Sequence, residues 1–190
     1  MNADSRRNFR LWLTLLLMPL LSLAAALWVL VATQDRQRIV PLPAAGPTPT
    51  VDQPLLGERA PNFELPTLDG GTLRLSSLRG RMVFVNFWAS WCDPCRREFP
   101  AFEAFAAQQA DALVLAVNVG ETPGQIRTFL DEVGAHSVRV LLDVDFQVSG
   151  AYHADLYPST FVVDPAGMVT AFHLGEITLA DLNGYRGGAS

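Results

Sequence analysis

The first feature along the chain is an uncharged apolar run from Leu11 to Ala32. At about 1.5 Å per residue, a helix over those positions extends roughly 33 Å, enough to cross the hydrocarbon core of a bilayer. Pro19 lies inside the run, which a spanning helix tolerates. Trp12 and Trp28 lie near its two ends, as an aromatic belt would place them. Arg6, Arg7 and Arg10 precede it, while Arg36 and Arg38 follow with Asp35 beside them. That bias favours a cytoplasmic N-terminus and an exported body. A cleaved signal peptide ending at Ala24-Ala25-Ala26 is the rival reading. It would start the mature chain on an apolar stub, Leu27 to Val31, so an anchor is expected instead. No Cys lies near the run, which excludes a lipoprotein. Residues 33–54 hold Pro41, Pro43, Pro47, Pro49 and Pro54 with little apolar periodicity, the pattern of a semi-extended linker. The expected organisation is a cytoplasmic tail over 1–10, a single transmembrane anchor over 11–32, a linker over 33–54 and one exported domain over 55–190.

Within that domain the periodicity alternates. Phe63-Glu64-Leu65 and Thr72-Leu73-Arg74-Leu75 flank Asp69-Gly70-Gly71 and predict a hairpin. Ser76 to Arg79 reads as one helical turn ended by Gly80. Met82 to Phe87 is a near-continuous apolar run, as in a strand buried on both faces. From Cys92 to about Gln109 the pattern is helical, with Phe99, Phe102, Phe105 and Ala106 on one face and a kink expected at Pro100. Ala112 to Val119 is a second buried strand. Thr122-Pro123 caps a helix that runs on through Ile126, Phe129, Leu130 and Val133 to Gly134. Val138 to Leu142 reads as a strand and Asp145 to Leu156 as a short helix. Ser159 to Val163 and Val169 to Leu174 are strands about the turn Asp164-Pro165-Ala166-Gly167. Thr178 caps a last helix. Strands alternating with helices mean a layered α/β sheet, closed by an antiparallel hairpin.

Composition narrows the function. Hydrophobic residues are 49% and charged residues 17% of the chain, which excludes disorder throughout. The net charge of −5 argues against nucleic-acid binding. Residues 1–50 carry five Arg against two Asp, and residues 51–190 nine Arg against seventeen acids. Two cysteines exclude both a disulfide-stapled miniprotein and a zinc finger. His136, His153 and His173 are scattered, so no metal site and no cofactor are expected.

The chemistry concentrates in Asn86-Phe87-Trp88-Ala89-Ser90-Trp91-Cys92-Asp93-Pro94-Cys95-Arg96-Arg97-Glu98-Phe99-Pro100. Two cysteines three apart at a strand-to-helix junction can close a small disulfide across the first helical turn. The first thiol then sits at the helix N-terminus, where free N–H groups and the macrodipole favour thiolate. The second lies one turn in, shielded, and can attack a mixed disulfide formed at the first.

Trp91-Cys92-Asp93-Pro94-Cys95, after the apolar strand and before Pro100, resembles thioredoxin. Tyr157-Pro158-Ser159-Thr160-Phe161 resembles that fold's cis-proline loop, beside the active-site disulfide. Gly57-Glu58-Arg59-Ala60-Pro61-Asn62-Phe63, Leu68-Asp69-Gly70, Glu98, and the extra helix and strand between Thr122 and Leu142 resemble the membrane-anchored TlpA/ResA/CcmG (DsbE) group of redoxins. The resemblance covers about residues 55–178. It implies a thioredoxin fold, a central mixed sheet flanked by helices, and a periplasmic thiol–disulfide oxidoreductase, usually a reductant in cytochrome c or cytochrome oxidase assembly. It implies Cys92 as the attacking thiol, Cys95 as the resolving one, and Pro94, Trp91, Tyr157 and Pro158 as their support. It also implies a disulfide-containing substrate protein, either apocytochrome c or an oxidase assembly protein, and re-reduction by a membrane electron donor of the CcdA/DsbD type. Asn86 stands where thioredoxin keeps a buried proton-moving acid, and Asn cannot titrate. In this group the matching acid is Glu98, expected partly buried and titrating above the roughly 4.3 of a free Glu. Asp93 beside Cys92 opposes a second negative charge and points to a reducing couple. Three rivals remain: a redoxin-type peroxidase, a DsbA-like oxidant and a copper-delivery protein. A peroxidase wants Thr or Ser three residues before the attacking Cys, where this chain has Ala89. A copper carrier wants a longer Cys spacing and a committed His.

Overall fold

A computed structural model describes residues 55–108 and 111–188, together with Leu23, Leu27 and Trp28. Those three are helical and exposed. The rest of the expected anchor, and the tail and linker, lie outside the described residues. Among the described residues no helix is long and apolar enough to cross a membrane. The chain divides into two compact units, Met1–Thr50 and Val51–Ser190.

The second unit is a thioredoxin-like α/β fold. Its sheet is built from β3 (Met82–Trp88), β4 (Ala112–Val119), β5 (Arg139–Asp143), β6 (Ser159–Val163) and β7 (Val169–Leu174), in the order β5-β4-β3-β6-β7. The pairs β3–β4 and β4–β5 are parallel, whereas β6 runs antiparallel to β3 and to β7. A separate two-stranded hairpin, β1 (Glu64–Pro66) with β2 (Thr72–Arg74), precedes it. The turn placed at Ser76–Arg79 is a 3₁₀ turn over Leu75–Leu78.

All seven residues of β3 are buried, because both faces of the sheet are covered. Met82, Phe84 and Trp88 face the apolar side chains of helix α1 (Asp93–Gln108) and helix α2 (Pro123–Val133), with Leu182 of helix α4 (Leu179–Gly187). Val83, Val85 and Phe87 face the hairpin and helix α3 (Gln147–Ala151). This two-residue alternation is the pleat itself. Asn86 is a polar interruption on a buried strand, and a buried amide must be hydrogen-bonded to be tolerated.

Local signals account for most element bounds. Thr122 and Gln125 form a capping box at α2, and Gly134 ends that helix at φ 68°, where only glycine sits without strain. Thr178 and Asp181 do the same for the start of α4. Helix α1 runs through Pro100 as one element, with Pro100 on its exposed side.

The helix expected over Asp145–Leu156 is much shorter. Phe146 has φ 61° and cannot extend a helix backwards. The carboxylate of Asp143, at the end of β5, instead accepts from the N–H groups of Val148 (3.1 Å) and Ser149 (2.8 Å) and fixes the start. At the other end His153 takes φ 53°. Its N–H donates to Gly150 O and that of Ala154 to Ser149 O. This is a Schellman closure made without its usual glycine.

Candidate active site

The parallel strands end on one edge of the sheet, and the loop after β3 carries Ala89–Cys92 into α1. Cys92 and Cys95 are joined as a disulfide. The Cys92 O accepts from the Arg96 N–H at 3.1 Å, the first bond of the helix. Cys92 is therefore the cap residue of α1, and the Cys95 N–H donates to its Sγ at 3.2 Å. A free N–H of the first turn thus points at this sulfur, which is where a thiolate gains most. Cys92 is 5% exposed and Cys95 fully buried, so the first sulfur is the one a partner can reach.

Glu98 follows Cys95 by three residues, on the same buried face as Phe99 and Phe102. It is completely buried rather than partly. Its Oε1 accepts from Asn86 Nδ2 at 3.0 Å and its Oε2 from the Ile177 N–H at 3.3 Å. Burial pushes this carboxyl up to about 8, those two hydrogen bonds pull the other way, and the nearby Glu176 charge adds to the rise. Asn86 also donates to Thr160 Oγ1 at 3.1 Å, its cross-strand partner on β6.

The Tyr157–Pro158 bond is cis. The carbonyl of Pro158 is engaged, accepting from the Gly175 N–H at 2.8 Å. Trp91 is 70% exposed and so not part of the core; its ring lies 6.0 Å from that of Tyr157. Pro94 is half-buried in the first turn of α1. Phe87 is fully buried, as expected, and so is Trp88. Arg96 and Arg97 are both drawn to other elements. Arg96 pairs with Glu132 at 2.9 Å and lies over the Phe129 ring, and Arg97 pairs with Glu176 at 2.7 Å. His136 and His153 are exposed, while His173 contacts Tyr185 and the Glu176 carbonyl.

Sequence reasoning missed one group. The buried carboxylate of Glu121 accepts from the Ser90 N–H at 2.7 Å, from the Ser90 hydroxyl, and from Asn118 Nδ2 at 2.6 Å. It ties the loop two residues before Cys92 to the end of β4. The only signal was an acid wedged between a buried strand and a helix cap, in Gly120-Glu121-Thr122, and no periodicity singles it out.

The AhpC/TSA family matches residues 56–172. Thiol-disulfide oxidoreductase ResA of Bacillus subtilis is 38% identical over 133 residues, spanning 68% of this chain and 73% of that protein. The thioredoxin-like protein YneN of the same organism is 35% identical over 130 residues, spanning 66% of this chain and 75% of that protein. A crystal structure from Chlorobium tepidum, assigned as thiol:disulfide interchange protein DsbE, aligns with a TM-score of 0.62 at 32% identity over 69% of this chain and 93% of that one.

Proposed function

This chain belongs to the AhpC/TSA family, as a thioredoxin-like thiol–disulfide oxidoreductase of the TlpA/ResA/CcmG type, and we propose that it works as a membrane-anchored reductant of protein disulfides on the exported side. One observation carries the reading. A reachable sulfur at a helix N-terminus, a buried partner sulfur and a buried acid are stacked on one helix.

In the reduced enzyme the Cys92 thiolate attacks a substrate disulfide. One substrate sulfur leaves as thiolate and a Cys92–substrate bond forms. Cys95 then gives its proton to the Glu98 carboxylate and attacks Cys92 Sγ. The Cys92–Cys95 bond closes, the second substrate sulfur departs, and Glu98 returns the proton. Two electrons pass from the dithiol to the substrate. Trp91 and Tyr157 flank the approach, Pro94 shapes it, and Pro158 with Tyr157 offers backbone to the extended substrate. Apocytochrome c or an oxidase assembly protein is the substrate class, and a CcdA/DsbD-type membrane donor restores the dithiol.

The full chain carrying Cys95→Ser, expressed in cells, should accumulate mixed disulfides, and Cys92→Ser none. Mass spectrometry of the trapped species identifies the substrate. Preferential alkylation of Cys95 in the reduced native protein at neutral pH would overturn the assignment. The couple should also be reducing. Asp93 stands beside Cys92, and Arg96 and Arg97 are both paired with acids elsewhere, which leaves the thiolate with the helix N-terminus as its support. Equilibration with glutathione buffers should give a potential nearer the roughly −270 mV of thioredoxin than the roughly −120 mV of DsbA. A value above about −180 mV makes the protein an oxidant or isomerase instead.

A further inference from the structure

The Glu98 carboxyl is hydrogen-bonded by neutral groups, Asn86 and the Ile177 N–H. Asn86 has two amide hydrogens, and both are committed: one to Glu98 Oε1 and one to Thr160 Oγ1. Its carbonyl Oδ1 is buried with no partner. An orphaned buried acceptor costs free energy. Turning the amide over would set Oδ1 against Glu98 Oε1, two acceptors face to face once the carboxyl is ionised. Toward the carboxylate the amide is therefore a donor, and Thr160 Oγ1 takes its other hydrogen.

We propose that Asn86, held by Thr160, is a positioning residue that presents the ionised Glu98 with a hydrogen-bond donor and thereby sets the pH at which Glu98 exchanges its proton with Cys95. Asn86 occupies the strand position at which thioredoxin keeps its acid. Here the acid stands on α1, and the strand supplies the group that tunes it. The idea rests on Glu98 as the proton carrier. It assigns to Asn86 a role opposite to burial: a donor favours the carboxylate, while desolvation favours the neutral acid. The direction of the Asn86 contribution to the Glu98 carboxyl agrees.

The charged and titratable groups around this carboxyl are few. Cys95 lies on its own helix. Glu176, between β7 and α4, raises it and is itself neutralised by Arg97. His173 on β7 bonds Tyr185 of α4 and the Glu176 carbonyl. Asp181 of α4 is bonded to Thr178. From β3 and β6 come the neutral Asn86 and Thr160.

The test uses the oxidised full-length chain, where neither thiol titrates, with ¹³C-labelled Glu and Glu98→Gln to assign the Glu98 carboxyl signal. Asn86→Leu removes the donor at similar volume. The Glu98 midpoint should rise by about one pH unit or more, the scale of one lost charge-assisted hydrogen bond. Thr160→Val leaves the amide but frees it to rotate, and should raise the midpoint by less. A midpoint unmoved in folded Asn86→Leu overturns the proposal. Should that chain fail to fold, an unmoved midpoint in Thr160→Val does so. The pH–rate profile of exchange by the reduced variants separates the two readings. A profile that moves with the carboxyl supports both. A carboxyl that moves while the profile stays put supports the tuning by Asn86 and overturns Glu98 as proton carrier.

Discussion

At the residue scale the governing fact is an acid placed where water does not reach. Glu98 was legible by position, since Cys95, Glu98, Phe99 and Phe102 share the face that the helical period defines. Its depth was not. Arg96-Arg97-Glu98 reads locally like a solvated charge run, and the groups that enclose it, Asn86 and Ile177, come from distant strands and loops. Glu121 was illegible for the same reason, because Ser90 lies in the loop after β3 and only the pairing of β3 with β4 brings it to the Glu121 carboxylate beside Asn118. Burial of Glu98 has a thermodynamic consequence. Its carboxyl rises from 4.5 to about 8 on folding. At pH below 4.5 both states hold the proton. Between those values the unfolded chain releases it and the folded chain keeps it, so stability falls as pH rises and levels off above about 8. Glu98→Gln removes this dependence. Denaturation of the oxidised full chain and its Gln variant at pH 5 and pH 9 should show the variant gaining roughly 3–5 kcal/mol relative to native across that range. A difference that stays constant with pH would mean that Glu98 titrates as an ordinary solvated acid.

At the element scale, what could be read was what carries its own punctuation. Helix α2 is bounded by Thr122 and Gly134, and both bounds match their expected caps. Helix α3 was misjudged because its start is set by Asp143 of a neighbouring strand and its stop by a left-handed histidine. The turn after β4 shows how tightly such junctions are built. Gly120 has φ 76°, its N–H donates to the Asp143 carbonyl at 3.0 Å, and a Cβ there would run into the Phe146 ring. Gly120→Ala therefore meets two separate penalties, a left-handed backbone at about 1–2 kcal/mol and a clash. Phe146 is exposed, so its ring can yield. Chemical denaturation should show Gly120→Ala destabilised by about 2–3 kcal/mol. In a Phe146→Ala background the loss should shrink to the conformational part, about 1–2 kcal/mol. Equal losses in both backgrounds would place the whole cost in the backbone. Because Glu121 follows directly, the strained variant should also loosen the Ser90 clamp and slow exchange.

At the scale of the whole molecule, the layered α/β sheet was legible because its strands are apolar on both faces and alternate with capped helices. The strand order β5-β4-β3-β6-β7 has no local signal, and the resemblance to thioredoxin implied only a central mixed sheet flanked by helices. The remaining question of scale is where the catalytic unit is held. Residues 11–32 are uncharged, three arginines precede them, and residues 51–190 carry nine Arg against seventeen acids. Cationic flanks stay on the cytoplasmic side during insertion, so the anchor should leave residues 55–190 outside. On the proposed reading, reductant and electron donor share one membrane, which would replace a search through volume with an encounter at high effective concentration. A chain released by cleavage would lose that advantage. In a Gram-negative host, the full chain should pellet with membranes and keep its N-terminus, as read by mass. Protease added to spheroplasts should digest the body and spare the tail. Replacing Arg6, Arg7 and Arg10 with Asn leaves Arg36 and Arg38 as the larger flank, and a protected, inverted population should then appear. A soluble product beginning after Ala26 would show that the segment is a signal peptide, and the enzyme would then have to meet its donor by diffusion.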